Sequence, residues 1–287
     1  MLMSKWSERN WLITGASTGF GRKLTEAVLA RGGRVVATAR NPGTLSDLES
    51  AAGGRLLALP LDVTKGEQMA AVVEKAAAFG GIDALVNNAG YGLLGAMEEF
   101  SDPEIDAIFD VNFFGPVRLT RALLPQMRAR GSGYIINFSS ISGSFGSPSS
   151  SYYSATRFAL EGLSEALSKE VQPLGIRVMI VIPGAFRTDF FGRSIAYAAK
   201  AIPDYGVNAA IRGYVGANDG IQPGDPVRAS SMIIDAMEGA NPPLRLLLGL
   251  ESHAAVHAAL SERLAEIDAQ KDSSLQACFP EALARVN

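Results

Sequence analysis

Short apolar runs alternate along the chain with longer segments in which apolar side chains recur at helical spacing. Residues 11–14 form one such run and end at a glycine-rich stretch; in 22–31, Leu24, Ala27, Val28 and Leu29 recur as on one face of a helix. The same pattern predicts strands at 34–38, 56–61, 84–87, 134–138 and 177–182, each followed by a segment able to form a helix, and a seventh strand at 245–248. Strands that are apolar throughout and separated by helices belong to βαβ units around a buried parallel sheet. The expected fold is α/β, a doubly wound parallel sheet of about seven strands with helices on both faces. No internal repeat or low-complexity linker divides the chain, so residues 1–287 are expected to form one domain. Residues 188–226 break the βαβ rhythm with scattered aromatics, Gly and Pro, and read as an insertion over the carboxyl edge of the sheet. Residues 250–287 read as a C-terminal helical extension.

Composition narrows the class without changing this picture. A chain of 287 residues can bury roughly three quarters of its unfolded surface. With 47% hydrophobic and 19% charged residues it is neither disordered nor collagen-like. The 26 basic and 29 acidic side chains are interspersed, with no basic stripe, and nucleic acid is set aside as a partner. The one cysteine, Cys278, cannot close a disulfide within the chain, which makes a reducing cytoplasm the expected location. Residues 1–10 lack the apolar stretch of a signal peptide, and no later run reaches the ~20 apolar residues of a membrane span.

Thr14-Gly15-Ala16-Ser17-Thr18-Gly19-Phe20-Gly21 lies between the first predicted strand and the first helix. Orphan N–H groups and the helix dipole favour a pyrophosphate there, and glycines let it approach bare backbone. A loop of this kind opening a βαβ unit predicts a dinucleotide. An acid at the end of the second strand would bond the ribose 2′-hydroxyl of NAD, whereas an arginine accommodates the 2′-phosphate of NADP. That strand ends Ala37-Thr38-Ala39-Arg40, with no carboxylate and one guanidinium, so the expected cofactor is NADP, with NAD disfavoured.

Further motifs follow in order, and together they resemble the short-chain dehydrogenase/reductase family over most of the chain, from Trp11 to about Leu250. The resemblance implies a Rossmann-type sheet and assigns residues to roles. Gly15, Ser17, Thr18, Gly19, Phe20 and Gly21 match the TGxxxGxG cofactor loop, and Asp62-Val63 resembles the pair beside the adenine. Asn87-Asn88-Ala89-Gly90 matches the NNAG element, and Asn112 resembles a helix asparagine holding a water in a proton relay. Ser140, thirteen residues before Tyr153, takes the place of the catalytic serine, and Tyr153 opens a YxxxK-like segment. Pro183-Gly184 with Thr188 resembles the PGxxxT element at the nicotinamide end. From Gln222 to Gly249 the chain is similar to the 17β-hydroxysteroid and retinol dehydrogenase-like branch, which implies a lipophilic ketone, aldehyde or alcohol as substrate. Relatives assemble through two long helices, here near 103–127 and 153–171, so a homodimer or homotetramer is expected.

Interconverting a carbonyl and an alcohol needs a hydride carrier, a group that gives or takes the hydroxyl proton, and a donor to polarise the oxygen. Tyrosine, with an ordinary pKa of about 10, is a poor base near neutrality without a cation to stabilise its phenolate. The cation four residues along the helix is Arg157, where the family pattern has lysine. Arginine keeps the charge but is longer, planar and not readily deprotonated. Two readings follow: a working reductase or dehydrogenase using Tyr153, Ser140, Arg157 and Asn112, or an NADP-binding protein with weak turnover or recruited to non-redox chemistry. Taking Tyr152 as the reacting residue would put the uncharged Thr156 at the fourth position, which leaves Tyr153 preferred. His253 and His257 share a helical face without an obvious third ligand, and no metal site is expected. The aromatics of 186–205 are either core packing or part of a substrate lid.

Overall fold

A computed structural model describes residues 5–279; the parts of the domain and C-terminal expectations that fall on 1–4 and 280–287 lie outside the described residues. The strands are β1 (Asn10–Ile13), β2 (Arg34–Ala39), β3 (Leu56–Pro60), β4 (Ala84–Asn87), β5 (Gly92–Leu94), β6 (Gly133–Phe138), β7 (Ile176–Pro183), β8 (Ile195–Tyr197) and β9 (Arg245–Leu248). The helices are α1 (Gly19–Ala30), α2 (Ser46–Ala51), α3 (Gly66–Ala78), α4 (Asp102–Phe109), α5 (Gly115–Arg130), α6 (Ser151–Val171), α7 (Gly206–Asn218), α8 (Pro226–Glu238), α9 (Leu250–Ala269) and α10 (Lys271–Leu275).

Seven strands form one parallel sheet in the order β3-β2-β1-β4-β6-β7-β9. The strands that pattern alone predicts all appear, each within a residue of its expected ends. Period-two alternation divides them between two cores. Trp11, Ile13, Val35, Ala37, Val86 and Ile136 pack against α1 and α8, while Leu12, Val36, Leu85, Ile135 and Val178 pack against α3, α5 and α6. Each fully buried aliphatic side chain contributes on the order of 1.5–3 kcal/mol, and the two layers hold the strand ends in fixed relation. The chain runs outward from β1 to β3 and then crosses to β4 on the other side of β1. This reversal opens a crevice at the carboxyl ends of β1 and β4, where doubly wound sheets bind ligands.

The 188–226 segment contains more order than its composition suggests. Its strand β8 pairs in parallel with β5, Gly92 opposite Ile195 and Leu94 opposite Tyr197, as a separate two-stranded sheet. It also carries α7 and is fastened by Glu99. One Glu99 oxygen accepts from the backbone N–H of Ile202 (2.7 Å); the other accepts from the Ala96 N–H (2.8 Å) and the Asn208 amide (2.7 Å). Those backbone bonds from Ile202 and Ala96, with Arg212 and Lys200 nearby, hold the Glu99 carboxyl below the ordinary glutamate range. The tie is therefore intact above that range and is lost as pH falls through the depressed value.

The long helix expected near 103–127 is three joined pieces. Between α4 and α5 the chain widens into a π-helical turn, Asp110–Phe114, with Asn112 fully buried at its centre. At the C-terminal end, His253 and His257 stack with ring centroids 5.9 Å apart on α9; among the described residues no third His, Cys, Asp or Glu joins them as a possible metal cluster. Among the described residues no helix is long and apolar enough to cross a membrane.

Candidate active site

The crevice widens into a cavity of about 860 Å³. Of the catalytic and cofactor residues that sequence assigns, all line it except Gly21, Asn87 and Asn112.

One side of it is built by the loop between β1 and α1. Gly15 and Gly19 take positive φ (66° and 53°), a region that favours glycine. A Cβ on Gly21 would lie 2.3 Å from the Gly15 carbonyl oxygen and 2.6 Å from Asn88 Nδ2, so the first turn of α1 is pressed directly onto the loop. The N-cap of α1, Thr18, makes no side-chain cap, and the first turn carries no acid. The helix terminus is thus left with free donors and a positive dipole end, which suits a pyrophosphate. From the next strand, the Asn88 amide donates to the carbonyls of Thr14 (2.9 Å) and Gly15 (3.2 Å), and Thr14 Oγ1 accepts from the N–H groups of Asn88 and Ala89 (3.0 Å each). The NNAG element therefore clamps the glycine loop.

At the carboxyl end of β2, Ala39 and Arg40 close the strand, with Arg40 exposed at the cavity wall. Asp62 opposes burial by accepting from the N–H and hydroxyl of Thr64 (2.9 and 2.8 Å); these bonds, with Lys65 and Arg40 nearby, hold its carboxyl below the usual range. At the opposite end Thr188 packs over Gly19, its side chain 3.4 Å from where a Cβ would stand, and Gly184 N–H donates to Leu248 O (2.9 Å).

Tyr153 lies in the first turns of α6, nearly buried, its ring facing Phe190 at 6.1 Å. Tyr152 instead packs edge-on against Phe100 and does not line the cavity. Ser140 caps a 3-10 turn, Ile141–Gly143, its Oγ accepting from Ser142 N–H (3.2 Å). The hydroxyl proton stays available to a substrate oxygen. Arg157 is buried with its Nη1 donating to the carbonyl of Phe138 (3.0 Å) and its guanidinium carbon 5.1 Å from the Tyr153 ring centre. Its Nε has no hydrogen-bond partner, and no carboxylate pairs with it among the described residues. A buried guanidinium without an acid is costly, and a polar group entering beside it would satisfy it. A Cβ on Gly90 would lie 2.8 Å from Arg157 Nη2, so the charge sits directly behind the NNAG loop.

Asn112 spends its amide on the backbone of Tyr91, accepting from its N–H (3.0 Å) and donating to its carbonyl (2.9 Å), with Thr156 Oγ1 3.4 Å away. Its side chain thus ties the π turn to the end of the NNAG loop. A buried ladder, Asn87 to Asn137 (2.8 Å) to Ser164 (2.8 Å), fastens β4 and β6 to α6 in the same layer. The far end of the cavity is apolar, lined by Leu94, Ile141, Phe190, Phe191, Ile195 and Ile211. Pattern reading does not find Glu99, Asn137 or Tyr91, because each gains its role from partners distant in sequence.

A glycine-rich loop at the switch point of a parallel sheet, with a tyrosine and a serine lining the same cavity, is the arrangement of a nicotinamide-dependent oxidoreductase. The short chain dehydrogenase family model matches residues 9–197. The chain belongs to that family. It is 42% identical over 197 residues to 3-ketodihydrosphingosine reductase of Bacteroides thetaiotaomicron, covering 68% of this chain and 70% of the relative. It is 38% identical over 200 residues to retinol dehydrogenase 8 of Homo sapiens, covering 67% and 64%. Among solved structures, a short-chain dehydrogenase from Streptomyces avermitilis superposes with a TM-score of 0.89 at 43% identity, covering 94% of this chain and 99% of that one. A short chain dehydrogenase from Burkholderia cenocepacia in complex with NADP gives 0.70 at 28% identity, covering 89% and 94%.

Proposed function

We propose that the protein is an NADP-dependent reductase or dehydrogenase interconverting an apolar ketone or aldehyde with its alcohol. The observation that carries this reading is that Tyr153 and Ser140 line the same cavity as the glycine loop and Arg40. Bound along that groove, the cofactor supplies or accepts the hydride. Gly15 to Gly21 would hold its pyrophosphate, Arg40 its 2′-phosphate, Asp62 and Val63 its adenine, and Arg157 with Thr188 its nicotinamide end. Ser140 Oγ donates to the substrate oxygen, and Tyr153 gives that oxygen its proton in reduction or takes it in oxidation. The apolar side chains around Leu94 and Phe191 exclude water and suit a lipophilic body, in keeping with the sphingoid and retinoid names of two relatives. Residues 188–226 act as a lid, α7 covering the cavity through Ile211 and Val215. The chain assembles as a homodimer or homotetramer through α4–α5 and α6, where Phe114 and Phe158 remain exposed. The exposed thiol of Cys278 suits a reducing cytoplasm.

Following the absorbance of reduced nicotinamide with a panel of apolar ketones, aldehydes and alcohols tests the reading. Turnover with NADPH exceeding that with NADH is expected. Tight NADP binding with no absorbance change on any of them would establish the other reading, a cofactor-binding protein, which the buried guanidinium at position 157 favours.

Two substitutions probe the parts. Ala39→Asp places a carboxylate where the 2′-phosphate would lie and is expected to shift NAD/NADP selectivity toward NAD by about tenfold or more. Unchanged selectivity in steady-state kinetics would show that the ribose sits elsewhere. Arg157→Lys is expected to leave turnover equal or higher, since a lysine ammonium supplies the same charge in a smaller group. Complete loss of turnover would mean that the bond to the Phe138 carbonyl is indispensable.

A further inference from the structure

Glu161 stands two helical turns beyond Tyr153 on α6 and one beyond Arg157, so the three recur at the spacing of one helix face. Sequence makes it look like an ordinary surface charge, yet it is 6% exposed. One of its oxygens accepts from the hydroxyl of Ser139 (2.8 Å); the other lies 3.4 Å from Nε of Arg245, on the edge strand β9. The Ile141–Gly143 turn rests on the same carboxylate, for a Cβ on Gly143 would lie 2.4 Å from Glu161 Oε1 and 2.5 Å from Ser139 Oγ. Ser139 is itself buried, and its N–H donates to Val181 O (2.8 Å) in β7. Burial pushes the Glu161 carboxyl above the ordinary range against the opposing pull of Ser139 and Arg245, so this group is kept from water at a cost.

We propose that Glu161 is a positioning residue for the reaction: through Ser139 and the glycine contact at Gly143 it seats the turn that aims Ser140 at the substrate oxygen. The inference rests on the oxidoreductase reading above. Three features argue for it. The carboxylate connects the helix that carries Tyr153 to the loop that carries Ser140, so it fixes the two reacting side chains relative to one another. Its hydrogen bond is made to the residue immediately before Ser140. Among the described residues Ser140 Oγ is held only by the Ser142 N–H, at 3.2 Å, which leaves its aim to the path of the backbone. A displacement of about 1 Å in such a donor can cost on the order of a hundredfold in rate.

Ser139→Ala removes the bond with almost no change in volume, and Glu161→Gln keeps an oxygen that can accept it. Ser139→Ala and Glu161→Ala are each expected to lower kcat about 10- to 100-fold with KM for NADPH unchanged, Glu161→Gln to stay within about threefold of the parent, and the double alanine variant to be no worse than either single one. Amide exchange reads the same seat without substrate: the Gly143 and Ser144 N–H groups, bonded to Ser140 O (2.9 Å) and Ile141 O (3.0 Å), should exchange at least about tenfold faster in Ser139→Ala. Unchanged exchange at both amides, or losses that simply add in the double variant, overturn the proposal. A parent chain without turnover on any substrate would overturn the oxidoreductase reading instead, and the exchange rates would then decide this one alone.

Discussion

Tyr153→Phe is expected to lower turnover by about 10²–10⁴-fold while NADPH affinity stays within about twofold of the parent. Phenylalanine fills the same space against Phe190 and the apolar cluster of Leu93 and Ile108, so the cavity keeps its shape and only the proton donor is lost. Single-turnover absorbance at the nicotinamide band, beside a fluorescence titration of NADPH, separates the two effects. Retained turnover would transfer the proton to another group and remove the central residue of the proposed mechanism. Tyr152→Phe supplies the internal control, because that side chain packs on Phe100 outside the cavity and its loss should leave kcat nearly unchanged.

The second large effect is expected at Gly21. Gly21→Ala forces a methyl group to within 2.3 Å of the Gly15 carbonyl and 2.6 Å of the Asn88 amide. The first is backbone and the second is already bonded to Thr14 and Gly15, so neither can retreat without opening the loop. Overpacking of this kind costs about 1–3 kcal/mol of stability. Because these atoms hold the loop whose N–H groups would meet the pyrophosphate, NADPH affinity should fall about a hundredfold, equivalent to about 2.8 kcal/mol. Calorimetric titration with a parallel Tm measurement checks both. Intact affinity in a destabilised variant would show that the phosphates do not use this turn.

How far the sequence speaks for itself depends on the range of the contacts. The strands of the main sheet were visible because burial on both faces makes each an apolar run, and the glycine loop because its chemistry is contained in eight consecutive residues. Ser140, Tyr153 and Arg157 could be named from spacing, but spacing could not show that the Arg157 guanidinium turns to the Phe138 carbonyl or keeps an unpaired Nε. The pairing of β5 with β8 joins two three-residue segments about a hundred positions apart, too short to carry a period of their own. Glu99 and Glu161 escaped for a related reason. In sequence each is an acid among polar and apolar neighbours, and only tertiary packing buries it and assigns its partners.

The two-stranded sheet has a bearing on traffic through the cavity. It rivets the start of the 188–226 segment to the chain that leaves the NNAG loop, close beside Tyr153, whereas α7 rests on the molecule through Val215, Ile211 and the Asn208 tie to Glu99 and is otherwise largely exposed. On the proposed reading, in which residues 188–226 form a lid, the doorway belongs on the α7 side. A substrate entering there would lead with its reacting carbon and trail its bulk toward Tyr214, which also lines the cavity, so the proposed enzyme should discriminate more sharply near the carbonyl than at the tail.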